Sequence, residues 1–544
     1  MRSRFLAITL AVFSTSSLYA QGQNVTPVPT SGQGFRIAGI IVSKTDGHPL
    51  VGARVALAST EARQKAESVT TSEDGKFEFT GVPAGKYSLS GAKRGYIAAG
   101  YDQHDQYSTA IVTGAGLDTE HLILKLDPQA IISGRVLDET GEPVRDATVT
   151  LYRDNHFSGV HQVQTFRGAQ TNDLGEFEIP DLVPGTYFMS ASAQPWYAVH
   201  PQIEGNQPGG DFDRSLDAAY PITYYGDATD PDSATPISVR GGEHLQAEVH
   251  MNPVPSLHVL IHVPDRGNHQ YPFPQFEQPA FDGSVPVMRM ENRMVTPGTW
   301  EITGIPAGKY DVRLMGPNVR GQINGVELNS TTQELDTSNA EPMCSLQVSV
   351  SFEDAPPSGR YAVMLRGKSA RITPARNLDS KGQADFENLA PGTYEVFVLG
   401  VGSRFSVGRI RADGAAINGH TITLAAGSSA SVTISAVKGS AEIEGIVKRS
   451  GKPFAGAMVV LVPRNPEGNS DLFRRDQSDL DGSFTLRNIV PGSYTLLAIE
   501  NGWDLDWSKP DVISAYLPRG RKIEVGGSGS RSVMVAEDVE VLSK

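Results

Sequence analysis

Gly75-Lys-Phe-Glu-Phe-Thr-Gly-Val-Pro-Ala-Gly85-Lys-Tyr87 decides the fold of this chain, because its frame returns four more times. Gly175 to Gly185 with Tyr187, Gly298 to Gly308 with Tyr310, Gly382 to Gly392 with Tyr394, and Gly482 to Gly492 with Tyr494 keep the ten-residue glycine spacing and the tyrosine two residues later. A branched apolar residue stands three before the second glycine each time: Val82, Leu182, Ile305, Leu389 and Ile489. Self-similarity of this kind marks a tandem architecture. Within the frame, apolar residues alternate with mostly polar ones, as in Phe77 and Phe79 or Phe484 and Leu486, which is the period of a half-buried strand. Asp74-Gly75 and Asp481-Gly482 accept positive φ and are expected to close hairpins. Pro83-Ala84-Gly85 and its counterparts supply a fixed φ and then a permissive residue, the chemistry of a tight turn. The tyrosine then opens the next strand, where its ring can close a sandwich core while its hydroxyl bonds backbone. Gly85 with Tyr87, Gly185 with Tyr187, Gly308 with Tyr310, Gly392 with Tyr394 and Gly492 with Tyr494 are therefore expected to form structural corners.

Upstream of three copies lies a second shared pattern. Ile37-Ala-Gly39-Ile-Ile41, Ile132-Ser-Gly134-Arg-Val136 and Ile443-Glu-Gly445-Ile-Val447 are each followed by a Gly, a Pro and an Ala ahead of a branched residue. Copies three and four keep degenerate openings, Leu257 to Ile261 and Leu346 to Val350, without the glycine. Successive second glycines stand 100, 123, 84 and 100 residues apart, so each unit has the size of a small two-sheet sandwich. The fold class expected is all-β, a tandem array of about five immunoglobulin-like or transthyretin-like β-sandwich modules. Their expected bounds are 35–127, 128–253 with a loop insertion, 254–341, 342–438 and 439–544. Very short links between them favour an extended rod.

The chain has 544 residues, with 56 Gly and 35 Pro spread throughout and 39% hydrophobic residues, enough to build cores. Lys and Arg number 47 against 61 Asp and Glu, a net charge of −14, which argues against nucleic acid as a partner. Cys344 is the only cysteine, so no intrachain disulfide and no Cys-based zinc cluster can form. Arg2 and Arg4, the apolar run Phe5 to Phe13 and the small-residue stretch to Ala20 have the layout of a secretory signal peptide. Cleavage is expected after Ala20, with residues 21–34 as a linker. No later run is long enough to span a bilayer, so a periplasmic or extracellular protein is expected.

The opening Ile-x-Gly-x-Val, the Gly-x-Pro-x-x-x-Ala-x-Val stretch, the Asp-Gly-x-Phe turn and the Pro-Gly-x-Tyr corner together resemble the carboxypeptidase regulatory-like domain. That domain is a transthyretin-like sandwich close to the collagen-adhesin B-type sandwich. Modules one, two and five match throughout, three and four mainly from the Gly-x9-Gly frame onward. The resemblance implies an accessory or binding module, with structural, surface-display or carbohydrate-binding roles. In metallocarboxypeptidases a separate domain holds the zinc, and this chain has neither His-Glu-x-x-His nor His-x-x-Glu.

No residue set points to catalysis, a cofactor or a metal. Gly81 to Lys86 and Gly304 to Lys309 differ from a phosphate-binding loop in spacing and carry a Pro where a backbone N–H is needed. Asp102, His104 and Asp105, and Asp227, Asp230 and Asp232, could supply ligands to a cation but lack a full calcium-loop pattern and read as turn residues. Asp211, Asp213 and Asp217 read as part of a mobile insertion in module two. Trp503-Asp504-Leu505-Asp506-Trp507, if extended, puts both rings on one face, a candidate contact for a glycan or partner that could equally be core packing. Tyr220, Tyr224 and Tyr225 with Trp196 form a second aromatic concentration. Cys344 reads as a buried thiol. The function expected is a non-catalytic exported scaffold of the cell envelope, with envelope proteins or polysaccharide as partners and the oligomeric state open. The alternatives are a carbohydrate-binding protein and an accessory subunit of an envelope peptidase or transport system.

Overall fold

A computed structural model describes residues 34–544 apart from 62–64, 115, 157–158, 202–212, 265–270, 288–289, 317–319, 354–359, 368–372, 401–402, 527–531 and 536–537. The expected signal peptide lies outside the described residues. The chain is all-β, with strands grouped into facing pairs of sheets. In the first pair, Lys76–Val82, Phe35–Ser43 and Leu122–Leu126 form one sheet. Glu67–Thr70, Arg54–Ser59 and Gly85–Ala92 form the core of the other. Phe35–Ser43 pairs antiparallel with Lys76–Val82 and parallel with Leu122–Leu126, so the first and last strands of the unit lie side by side. The same parallel closure recurs at Ala130–Leu137 with His244–His250, Leu257–His262 with Thr332–Asp336, Cys344–Phe352 with Ser429–Val437, and Ala441–Arg449 with Ser532–Val535.

Each sheet pair encloses its own apolar cluster, centred on Ile37 and Phe79, Ile132 and Phe177, Val259 and Ile302, Leu346 and Phe386, and Ile443 and Phe484. Burying one such side chain stabilises a unit by roughly 1.5–3 kcal/mol. Phe77 and Phe79 are buried while Lys76, Glu78 and Thr80 are exposed, the alternation expected of that strand.

The first glycine of the frame has one job in all five units. Gly75, Gly175, Gly298, Gly382 and Gly482 have φ between 69° and 84°, in the left-handed region. The carbonyl of each accepts a hydrogen bond from the opening strand, at Ile41, Val136, Val263, Val350 and Val447 respectively. At Gly482 a Cβ would stand 2.6 Å from the Val447 carbonyl oxygen. The turn does not close a hairpin at Asp74-Gly75 or Asp481-Gly482 as expected. Glu67–Thr70 and Lys76–Val82 belong to opposite sheets, as do Arg474–Gln477 and Ser483–Ile489, so the turn carries the chain across the sandwich. Only in the third unit does the strand before the turn, Glu291–Thr296, pair with Thr299–Ile305 after it. A dipeptide that accepts positive φ fixes a sharp reversal; which sheet the preceding strand joins depends on its partners.

A further position is hidden inside the frame. Gly81, Asp181, Gly304, Asn388 and Asn488, four before the second glycine, all have φ between 58° and 80°. Each lies opposite a register shift in the opening strand, such as Phe35/Ile37 or Ala441/Ile443, so each marks a β-bulge. Only Gly, Asn and Asp occupy it, the residues that tolerate the left-handed region. The segments compared with phosphate-binding loops, from Gly81 and Gly304, are these bulges.

The modules do not form an extended rod. The fifth returns to the first and second while touching the fourth. Leu480 packs against the core of module one, and Ser508 N donates to Gly159 O of module two at 3.1 Å. At the other side Val407 N donates to Asp471 Oδ2 at 3.0 Å, and Asp471 Oδ1 meets His420 Nδ1 at 2.5 Å. Short links limit the freedom of neighbours but leave the direction of each step open, and here apolar, backbone and polar contacts of module five set it.

Candidate functional site

The junction of modules one and five grows from the strand Arg474–Gln477 and the turn after it. Because that turn crosses the sandwich, Asp479 and Leu480 project from module five onto module one. Asp479 Oδ1 accepts from Ala110 N at 3.0 Å, and Leu480 N donates to Ala110 O at 3.1 Å. Lys86 Nζ reaches Asp479 Oδ2 at 3.0 Å and Ser483 Oγ at 2.7 Å. Burial raises the pKa of the Asp479 carboxyl, and the Lys86 ammonium opposes that rise. Gln477 Nε2 completes the seam, donating to Asp102 O at 2.6 Å and Thr109 Oγ1 at 2.7 Å.

The tryptophan segment is not extended. Gly502–Asp504 forms a 3-10 turn, and the two rings point into different packing. Trp507 is 7% exposed, in a cluster with Met458, Phe473, Leu497 and Ile513. Trp503 stacks on His104 at 5.1 Å, lies 5.7 Å from Tyr107, and donates from Nε1 to Gly456 O at 3.2 Å. The guanidinium of Arg475 stands 4.3 Å from the Trp507 ring centroid, 5.3 Å from Tyr107 and 5.9 Å from Trp503, and pairs with Asp105 at 3.2 Å. The aromatic faces considered as a glycan or partner contact are filled by the chain's own arginine and histidine. An extended segment would put Trp503 and Trp507 on one face; the left-handed Asn501 that starts the 3-10 turn breaks that period, and the rings take up packing, the alternative reading.

Tyr224 is also internal, 1% exposed, and packs with Tyr152 and Phe281 between modules two and three. Tyr225 is half-buried against the module two core. Tyr220 donates to Glu139 Oε2 at 3.1 Å. Trp196 alone of this group is open, 86% exposed, with Tyr197 edge-on at 5.8 Å. Asp102 and Asp105 occupy left-handed turn positions. Asp227 Oδ1 accepts from His250 N, and Asp230 caps the 3-10 turn Pro231–Ser233 by accepting from Asp232 N. Asp211 lies outside the described residues; Asp213 caps Ser215, and Asp217 bridges His200 at 3.0 Å and His258 at 2.6 Å. Cys344 is buried and donates from Sγ to Ala425 O.

The five frame tyrosines share one geometry. Tyr87, Tyr187, Tyr310, Tyr394 and Tyr494 each donate to the carbonyl four residues earlier, at 3.1, 2.7, 2.6, 2.6 and 3.0 Å. Burial raises the pKa of Tyr87, Tyr187, Tyr310 and Tyr494, so these hydroxyls stay protonated and able to donate. The acceptors, Pro83, Val183, Pro306, Ala390 and Val490, sit in the tight turn that carries the chain from one sheet to the other.

A cleft of about 970 Å³ opens where modules two to five meet, with Asp282, Arg313, Glu387, Asn388 and Lys509 in its wall. Among the described residues, one group of His and carboxylate side chains brings its ligand atoms within 4.8 Å of one another: His156, His161 and Asp506. Sequence reading missed the two histidines because they join an aspartate 345 residues away, past His161. The available hint was their position at the tip joining Thr148–Asn155 to Gln162–Gln170.

Residues 36–113 and 131–251 match the model of the carboxypeptidase regulatory-like domain. No curated protein matches the chain. Similar solved structures include the TIE protein of Bacillus anthracis, at 11% identity over 74% of each chain with a TM-score of 0.18. Another is BcpA, the major pilin subunit of Bacillus cereus, at 11% identity over 93% of this chain and 99% of that one, TM-score 0.14. A third is two B repeat units of the collagen binding protein of Staphylococcus aureus, at 12% identity over 74% and 99%, TM-score 0.13. The first two sandwiches of this tandem all-β chain are thus similar to the carboxypeptidase regulatory-like domain.

Proposed function

We propose that this protein is an exported, non-catalytic scaffold of the cell envelope, whose sandwiches hold protein-binding surfaces at fixed relative positions. The observation that supports this reading is the seam between modules one and five, where Lys86, Ala110, Gln477, Asp479 and Leu480 join units almost four hundred residues apart. A chain of independent binding domains has no need of such a closure, whereas a scaffold gains from it by giving up little further freedom when a partner docks. Cell fractionation combined with cross-linking in intact cells tests the reading. The expected result is recovery of the mature chain outside the cytoplasm, cross-linked to a defined envelope protein. Recovery in the cytoplasm, or only as an uncross-linked chain, overturns it.

A second reading, polysaccharide binding, rests on Trp196, whose ring is open while the other expected aromatic contacts are filled. Retention of the purified chain on cell-wall polysaccharides that is lost in Trp196→Ala, and kept in Trp503→Ala, would favour it.

A further inference from the structure

His156 and His161, next to the ends of Thr148–Asn155 and Gln162–Gln170 in module two, lie against the segment after the 3-10 turn Gly502–Asp504 in module five. The imidazoles of His156 and His161 stack there with centroids 4.3 Å apart and planes 25° apart. Asp506 Oδ1 stands 3.5 Å from His156 Nε2 and 3.8 Å from His161 Nε2. We propose that His156, His161 and Asp506 form a binding site for one divalent transition-metal ion of the Zn²⁺ type, which clips module five to module two.

The donor set is two imidazole nitrogens and one carboxylate oxygen, ligands that suit zinc and its first-row neighbours. Metal–ligand bonds of about 2.0–2.1 Å in a tetrahedron put neighbouring ligand atoms roughly 3.3 Å apart. The two distances to Asp506 Oδ1 lie within about half an ångström of that, the three ligand atoms all lie within 4.8 Å of one another, and metal binding draws the partly exposed His161 inward to close the difference.

The surroundings orient these ligands. Asp154 Oδ2 accepts from His161 Nδ1 at 2.6 Å, which leaves Nε2, on the Asp506 side, as the nitrogen available to a metal. Asp504 O, at 3.1 Å, accepts from the same Nε2 when His161 is protonated, and a metal bound at Nε2 replaces that proton. His156 has a side chain only 12% exposed, and neither ring nitrogen has a hydrogen-bond partner among the described residues. Burying such a group costs free energy unless something binds it.

Two cations flank the site, and each already has a carboxylate. Lys509 Nζ pairs with Asp506 Oδ2 at 2.6 Å, leaving Oδ1 toward the histidines, and Arg475 pairs with Asp105. Oδ1 also accepts from His161 N at 2.8 Å, which fixes the carboxylate across the junction.

Calorimetric titration of the mature full-length chain with ZnCl₂ tests the site. The expected result is one saturable equivalent, weakened at least tenfold in His161→Gln and in His156→Gln. In Asp154→Asn, where only a positioning residue changes, the expected loss is about 10–100-fold. Hydrogen exchange supplies a second readout: Zn²⁺ should slow exchange at the Ser508 and His161 amides, which cross the junction. The chain has 12 histidines, so adventitious binding is separated by the double variant His156→Gln/His161→Gln. No Zn²⁺ binding by the parent, or equal binding by the double variant, overturns the proposal. If the buried His156→Gln fails to fold by circular dichroism, the more exposed His161→Gln decides the matter.

Discussion

At the scale of single residues, the frame tyrosines differ in what their hydroxyls are worth. Tyr310 is fully buried and donates to Pro306 O at 2.6 Å, so replacing it with Phe strands a carbonyl without water. Tyr87 is only partly buried, and its acceptor, Pro83 O, can turn to solvent. Tyr310→Phe is expected to lower the stability of module three by about 1–3 kcal/mol, and Tyr87→Phe to cost module one under about 1 kcal/mol. Urea unfolding followed by hydrogen exchange, which reports each module separately, checks the order. Equal losses would mean that the corner acts through its ring and not its hydroxyl.

At the scale of elements, the strand Arg474–Gln477 carries the most unusual electrostatics. Asp476 is largely buried, accepts from Thr485 N at 2.8 Å, and has its pKa raised by burial to about 6. Its unfolded value is about 3.9, so the folded module holds the proton more tightly. Stability from this group is therefore greatest below about pH 4, falls between about pH 4 and 6, and is level above; the total change is about 3 kcal/mol. Asp476→Asn keeps an acceptor for Thr485 and is expected to flatten that slope and to exceed the parent in stability at pH 7. Asp479 shifts in the same direction, so the informative quantity is the difference between parent and variant across the pH range. Denaturant midpoints read from tryptophan fluorescence at pH 4 and 7 measure it. An unchanged slope in the variant would show that Asp476 ionises freely.

At the scale of the whole molecule, closure of the array is what solution scattering sees. Five modules with radii of gyration near 13 Å give roughly 50 Å in a straight row and roughly 30 Å when the last returns to the first. The parent is expected near the lower value. Lys86→Met removes the cation from a partly buried pair and leaves Asp479 desolvated at the seam, so the variant is expected to shift toward the upper value. A parent near 50 Å would show that the contacts around Ala110 and Leu480 do not hold in solution.

The sequence by itself determined what depends on local geometry. Gly75 and its four counterparts, the alternation around Phe77 and Phe79, and the tyrosine two past the second glycine are each dictated by φ, by period two, or by a hydroxyl four residues from its acceptor, all within a dozen residues. The five-fold frame and the sandwich fold were legible for that reason. Tertiary structure alone decided that the Asp-Gly turns cross between sheets, because the sheet a strand joins is set by distant partners. It decided that Trp503 and Trp507 are filled from within, because Arg475 and His104 reach them from another strand and another module. It also brought His156 and His161 to Asp506 and Lys86 to Asp479, since contacts between modules rest on side chains hundreds of residues apart, and no periodicity in the chain records which faces will meet.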